Sequence, residues 1–382
     1  GQPADAQPAV NESVDVAVIG AGAAGGACAA HLALAGHSVV VLEQGPFPRS
    51  KPCGGGMAAS VQRWFPFDLS PAVDQVIRRV RFSWNLEDPV IAELPGEAPF
   101  WIVQRARLDA FLLEQATAAG GEIRSHWPVQ GVLRQGDRWQ IQGEAGVLSA
   151  KAVVIANGSR SDLTVPLGLG SPRPRFASTV AVELEAPVRE PETARFEFGL
   201  VHHGFCWAFP RQNGYSIGVG TFIGREAADA DAVLQRLLPD LGLAADAGLR
   251  VEAPLRIWDG HHRLHGDGIV VVGDAASLCD PFLAEGIRPA LMSGSLAAGA
   301  ISRWLNGESQ ALVDYSQQMR HNWGDSMAWG KRIAQVFYRV PKIGYQLGIK
   351  RPTAPQRIAQ ILSGEMGYGD IAQRVIKRLL FQ

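Results

Sequence analysis

The 382-residue sequence is poor in the residues that staple or anchor a chain. Its four cysteines, Cys28, Cys53, Cys206 and Cys279, are scattered with no C-x-x-C pair. That argues against a disulfide framework and a structural zinc site, and fits a reducing compartment. No apolar run reaches the roughly 18–20 residues that a membrane-spanning helix needs. Residues Gly1 to Ser13 have neither a basic start nor an apolar stretch, so no secretory signal is expected and the expected location is cytoplasmic. Charge is short as well: 36 Lys and Arg against 37 Asp and Glu leave a net charge of −1, so no nucleic-acid partner is expected. His202-His203 and His261-His262-x-x-His265 have no carboxylates at ligand spacing, so no metal site is expected.

What is abundant is apolar residues, at 47%, and glycine, at 43 residues or about 11% against a usual ~7%. The glycines follow no repeat. They therefore belong where backbone turns tightly or approaches something closely. Length alone suggests two domains.

The order of elements predicts how those domains interleave. Val14 to Ile19 is a short apolar run ended by glycine, Ala23 to Ala35 is an Ala/Leu-rich helix closed by Gly36, and Ser38 to Leu42 is a second buried strand. Together they form a βαβ unit. A helix over Leu108 to Ala119, short strands from Glu122 to Leu148 and a buried strand over Ala152 to Ala156 follow. Thr179–Glu185, Cys206–Phe209 and Tyr215–Val219 alternate, which predicts antiparallel strands. A helix over Ala227–Leu238 is expected to end at Pro239. Gly268–Val272 returns to a buried parallel strand, with a long helix from about Gly286 to Leu305. The fold class is therefore α/β: a Rossmann-type nucleotide-binding domain over 13–82, 101–175 and 255–330, an inserted antiparallel β-rich substrate domain over 83–100 and 176–254, and a helical C-terminal segment over 331–382.

Gly20-Ala21-Gly22-Ala23-Ala24-Gly25 is G-x-G-x-x-G between a strand and a helix. The first glycine makes the turn, the second lets a pyrophosphate approach, and the third lets helix pack on strand, while the helix N-terminus supplies amides with Ala23 and Ala24 in its first turn. Glu43, with Gln44 beside it, ends the next strand 18 residues past Gly25, where a carboxylate can bind a ribose diol. Late in the chain, Gly273-Asp274-Ala275-Ala276 follows a strand, and Pro281 and Glu285-Gly286-Ile287 precede a helix. An aspartate there suits a ribityl hydroxyl, and the helix N-terminus suits negative charge on a reduced flavin. Arg105 can neutralise a pyrophosphate.

Taken together, these pieces resemble FAD-dependent oxidoreductases of the p-hydroxybenzoate hydroxylase-like fold, whose third signature is matched by Ala156-Asn157-Gly158. Within that fold the sequence is similar to the geranylgeranyl reductase family. Lys51-Pro52-Cys53-Gly54-Gly55 looks like its K-x-C-G-G, Phe205-Cys206-Trp207-Ala208-Phe209-Pro210 like its Y-x-W-x-F-P, and Asp280 to Ile287 like its D-P-x-x-x-E-G-I. Phe205 stands in place of a tyrosine, Arg211 of a lysine and Ala284 of a glycine. The resemblance implies FAD as cofactor, NADPH or ferredoxin as transient electron donor, and an isoprenoid C=C bond as the group reduced. It implies that Arg49, Cys53, Gly54, Gly55, Val129 and Gly158 also meet FAD, with Cys53 a candidate for catalysis. Phe205, Trp207 and Phe209 share one strand face and, with Pro210, are the expected wall of an apolar substrate tunnel. Two other readings are an oxygen-using flavin monooxygenase or halogenase of the same fold, and a non-catalytic flavin or lipid carrier. Finally, residues 331–382 hold ten Lys and Arg against two acids, net +8 on a body of −9. The stripe Ile371, Val375, Ile376, Leu379 and Leu380, flanked by Arg374, Lys377 and Arg378, reads either as a helix on an anionic membrane surface or as a last helix docked on the core.

Overall fold

A computed structural model describes residues 12–48, 54–97, 99–223 and 229–381. Its first layer is an eight-stranded sheet built around Glu12–Ile19. That strand pairs in parallel with Val39–Leu42 on one side and with Gly146–Ile155 on the other, and Ile269–Val271 extends the parallel set. The core of each strand is an unbroken apolar run buried on both faces, as expected of a covered parallel sheet. Helices Ala23–Leu34 and Arg105–Ala118 pack against this layer, and Ile287–Leu305 packs on Ala23–Leu34. Small residues let the helices close up: a Cβ on Gly294 would stand 2.4 Å from the carbonyl oxygen of Ala24.

The second layer is a seven-stranded sheet in the order Val251–Ile257, Arg175–Glu185, Gly214–Thr221, Gly204–Arg211, Thr193–Phe198, Arg79–Trp84, Glu87–Glu93. One face carries Cys206, Ala208, Ile217 and Val219 under helix Ala230–Asp240, a core of its own. The opposite face carries Phe205, Trp207 and Phe209, which pack into the core shared with the first layer. A three-stranded sheet of Gly56–Ala58, Phe100–Val103 and Val73–Ile77 lies between the two larger sheets in the chain's course. Beyond residue 305 the described chain is helical, ending in Ala354–Leu362 and Tyr368–Phe381.

The sequence order of elements is observed, with instructive differences. Residues 79–82 and 255–257, grouped above with the nucleotide-binding layer, are hydrogen-bonded into the seven-stranded sheet. The helix expected to stop at Pro239 runs on to Asp240, and its end tightens: Leu241 N donates to Leu238 O and Gly242 N to Pro239 O. In the final helix Ile371 packs on the core while Ile376 and Leu380 are exposed. The side chains of Val375, Arg378 and Leu379 lie outside the described residues. No helix among the described residues is long and apolar enough to cross a membrane.

Two glycines make opposite predictions. A Cβ on Gly218 would stand 1.9 Å from the Trp207 ring on the neighbouring strand. Gly218→Ala is expected to cost about 1–3 kcal/mol by overpacking and to displace the indole. Gly299 sits exposed in helix Ile287–Leu305 with nothing near its Cβ position, so Gly299→Ala should gain about 0.5–1 kcal/mol. Chemical denaturation monitored by circular dichroism reads both.

Candidate functional site

The first turn of helix Ala23–Leu34 is shaped by backbone contact. Gly20 has φ +113°, and a Cβ there would lie 2.1 Å from Ala156 O; one on Gly25 would lie 2.1 Å from Gly20 O. These two glycines let the first strand, the helix and strand Gly146–Ile155 meet. Gly22 is different. Its Cβ position is open except for Arg105 Nη2 at 3.6 Å, and Gly22 is an N-cap with no side-chain hydrogen bond. The protein therefore leaves space, free amide donors and a guanidinium at one point. Arg105 is held there by Asp109, with Nε to Oδ1 at 3.2 Å. Glu43 is buried at the end of strand Val39–Leu42, its own N–H donating to Arg124 O. Gly158 adopts φ +86°, and the side-chain oxygen of the adjoining Asn157 has no hydrogen-bond partner among the described residues.

From Arg105 a cleft runs inward past Asp274, Gly286 and Ile287 to Gly54, Gly55 and the rings of Phe205, Trp207 and Phe209. It encloses about 850 Å³ of non-atom space, open solvent included. Its inner half is apolar: Phe100, Phe196, Leu255, Leu283 and Leu362 complete the wall. Gly54 abuts the aromatic face, since a Cβ there would stand 3.1 Å from Trp207 Nε1. That indole N–H is buried without a partner among the described residues.

Between the polar and apolar halves stands Glu285. Its carboxylate is buried, with Oε2 held by Arg288 Nη2 at 2.9 Å and Oε1 without a partner among the described residues. Burial pushes its pKa up to about 7; Arg288 opposes the rise and Asp280 adds to it. Asp280 lies wholly inside the protein. It accepts hydrogen bonds from Tyr368 Oη at 2.5 Å and from the backbone N–H groups of Phe282 and Leu283 at 2.7 and 3.0 Å. Burial nonetheless raises its pKa too. The loop closes on itself through Asp280 N to Glu285 O at 2.9 Å and delivers Gly286 as N-cap of helix Ile287–Leu305.

Of the residues expected from sequence, Gly54, Gly55, Arg105, Phe205, Trp207, Phe209, Asp274, Gly286 and Ile287 meet in this cleft. Gly20, Gly22, Ala23, Ala24, Gly25 and Glu43 form the strand–helix turn and strand end beside it. Gly273 caps the strand before Asp274, close to Ala24, and Pro281 is buried inside the loop. Pro210 does not line the cleft: strand alternation turns it to the side of Cys206 and Ala208. Gln44 is exposed, and Val129 starts strand Val129–Gln135 opposite Gly143, away from the cleft lining. Arg49 and Cys53 lie outside the described residues. Sequence reasoning overlooked Glu285 as a site residue, although it stood in the motif that was read. It also overlooked Arg256, a buried guanidinium that donates to Ser277 Oγ at 2.7 Å and to Ser161 O at 3.3 Å beneath the Asp274 turn. A cation inside an alternating strand gives no sign of being buried.

The histidines are engaged locally. His262 Nε2 is 2.9 Å from Asp259, and His265 shares a 2.6 Å hydrogen bond with Ser316. Among the described residues no three His, Cys, Asp or Glu groups gather as a metal site.

A capless helix N-terminus with an anchored arginine, a buried acid at the next strand end, and a second helix terminus facing an apolar cleft define a flavin-dependent oxidoreductase; these residues fit FAD. A family model described as FAD dependent oxidoreductase matches residues 15–88 and 96–304. Digeranylgeranylglycerophospholipid reductase 2 of Methanothermobacter thermautotrophicus is 30% identical over 354 residues, covering 85% of each chain. Menaquinone reductase of Mycolicibacterium smegmatis is 29% identical over 346 residues, covering 80% of this chain and 79% of that one. A geranylgeranyl bacteriochlorophyll reductase-like structure from Thermoplasma acidophilum superposes with a TM-score of 0.77 at 21% identity, over 86% of this chain and 88% of that one. The chain belongs to the geranylgeranyl reductase family of FAD-dependent oxidoreductases.

Two outcomes test the site. Arg105→Met should weaken FAD binding about 10- to 100-fold, the loss of a charge-assisted contact, read by flavin fluorescence titration. Glu285 binds its proton more tightly folded than unfolded, so it lowers stability as pH rises from about 4.5 to about 7. In the apoprotein, Glu285→Gln should therefore gain about 3 kcal/mol relative to wild type between pH 4.5 and pH 8, read from denaturation midpoints.

Proposed function

We propose that this enzyme saturates C=C bonds of an isoprenoid lipid or isoprenoid tail, with NADPH or ferredoxin as the electron donor. The observation that carries the reading is a single cleft in which a flavin-type polar end opens onto a wall of aromatic and aliphatic side chains. The eight-stranded layer is the FAD-holding unit and the seven-stranded sheet the substrate side. Arg105, Gly22 and the adjoining helix N-terminus would hold the pyrophosphate, Glu43 a ribose, and Asp274 with Gly286 and Ile287 the flavin end. When bound and reduced, FAD supplies hydride chemistry there. Support for an isoprenoid comes from the names of the archaeal relatives and from the wall itself.

An isolated alkene is a poor hydride acceptor, so alignment and dryness must supply much of the rate. Phe196, Phe205, Trp207 and Phe209 orient a branched chain and exclude water. The second requirement is a proton for the other alkene carbon. Phe205 has no hydroxyl to give. Glu285 lines the cleft, and its Oε1, buried and without a partner among the described residues, would hold the proton while Arg288 fixes Oε2. With its pKa raised to about 7 it is half protonated at neutral pH, where a general acid works best.

Anaerobic enzyme carrying reduced FAD, mixed with a geranylgeranyl phospholipid or geranylgeranyl diphosphate, should reoxidise its flavin while product mass rises by two hydrogens per step. Reoxidation only with oxygen, or none with any prenyl compound, would overturn the reading in favour of oxygen-using chemistry or of a carrier. Glu285→Gln should keep FAD and lose about 10²–10⁴ in single-turnover rate, as expected on removal of a general acid.

A further inference from the structure

Residues 326–364 contain seven Lys and Arg and no Asp or Glu. Within this stretch the helical run from Asp325–Phe337 through Pro341–Gly344 carries Val336, Val340, Ile343 and, just beyond, Leu347 at spacings of four, three and four. These side chains are 67%, 45%, 58% and 55% exposed. Each is a large, substantially exposed apolar residue: Val336 lies near the end of the first helix, Val340 at the non-helical break before Pro341, and Ile343 and Leu347 about one turn apart beyond it. Arg339, Lys342 and Arg351 are exposed around them and have no ionic partner among the described residues. Lys350 is tied to Asp88 at 2.7 Å, and Arg332 lies over the Trp329 ring.

The underside of the same segment is fastened to the cleft. Phe337 meets Phe198 and Phe282 edge to face, both at 5.3 Å between ring centres. Tyr338 stacks on Phe222 at 5.2 Å, Phe222 stacks on Phe205 at 5.7 Å, and Phe205 lines the cleft. Tyr345 Oη donates to Asp88 O at 2.6 Å and so pins the segment to the seven-stranded sheet. The exposed ridge thus sits two ring layers above the apolar half of the site.

We infer that the ridge Val336–Val340–Ile343–Leu347, with Arg339, Lys342 and Arg351, docks on the surface of an anionic lipid bilayer. Charge complementarity selects the partner. A segment with no acids of its own, presenting these cations around exposed aliphatics while the neighbouring Asp88 is paired with Lys350, matches the arrangement that places apolar side chains among acyl chains and cations among anionic headgroups. A second copy of the chain would bring the same cations against each other. No described helix can span the membrane, so the protein would lie on it. The choice of a bilayer rests on the isoprenoid-lipid reading above, because a water-insoluble substrate must be collected from a membrane.

The test is sedimentation of the FAD-loaded protein with vesicles of phosphatidylcholine and phosphatidylglycerol, with phosphatidylcholine alone as control. Binding should be at least about tenfold stronger to the mixed vesicles and should fall with salt. Ile343→Ser with Leu347→Ser should reduce it about tenfold or more, and Arg339→Gln with Lys342→Gln should remove its salt dependence. Both variants should keep the flavin spectrum and the turnover of a detergent-dispersed substrate. Equal binding to neutral vesicles, or unchanged binding of both variants, overturns the proposal. So does a dimer in sedimentation velocity that the serine variant dissociates, since the ridge would then face a second copy. Vesicle binding requires no turnover. Failure here leaves the reductase reading intact, and failure of the reductase assay leaves vesicle binding to be read by itself.

Discussion

One buried carboxylate organises this molecule. Asp280 lies far from solvent and receives three hydrogen bonds, two from its own loop and one from Tyr368, nearly ninety residues later in the chain. Burying a carboxyl group is tolerated only when its oxygens are satisfied, so the loop conformation and the docking of the C-terminal helix stand or fall together. The same loop carries Glu285, presents Gly286 to the helix that follows, and contributes Leu283 to the apolar wall. Tyr338, which donates to Phe282 O, and Trp323, which donates to Leu278 O at 2.8 Å, tie two further C-terminal elements to this segment. The basic tail is therefore a structural part of the active cleft.

Two sorts of residue give the cleft its polarity gradient. At one end glycines remove side chains, so that among the described residues the Cβ position of Gly22 meets only the Arg105 guanidinium beside the helix amides. At the other end the strands of the second sheet send their large rings to one face and their small residues, Cys206 and Ala208, to the other. Gly218 leaves room for the indole of Trp207 across the strand pair. Glu285 stands where the two environments meet, and its raised pKa follows from that location more than from any single neighbour.

How much of this was legible in the sequence depended on how local the signal was. The βαβ unit at the start, the glycine turn and the Gly273-Asp274 turn were readable because strand, turn and helix are contiguous there. The aromatic face of residues 205–209 was readable from alternation, which also explains why Pro210 faces the other way. The five strands between Gly56 and Val103 were not, since their pairing partners lie up to 114 residues distant and their apolar pattern is broken by bulges. Arg256 and Glu285 escaped for a related reason. Their burial is produced by elements packed over them, and neither residue advertises it in its own neighbourhood.

The walls of the apolar cleft come from Gly54, Phe100, Thr179, Phe205, Leu255, Leu283 and Leu362, one or a few residues from each of seven widely separated stretches. Contacts of such sequence separation form late, because each requires a long loop to be closed first. On the ribosome, the chain can assemble its opening βαβ unit early, yet its central parallel strands remain incomplete until Ile269–Val271 has emerged, and the cleft until Leu362 has. The cleft is thus a late product of synthesis, closed only when Gly54 and Leu362, about three hundred positions apart, can meet.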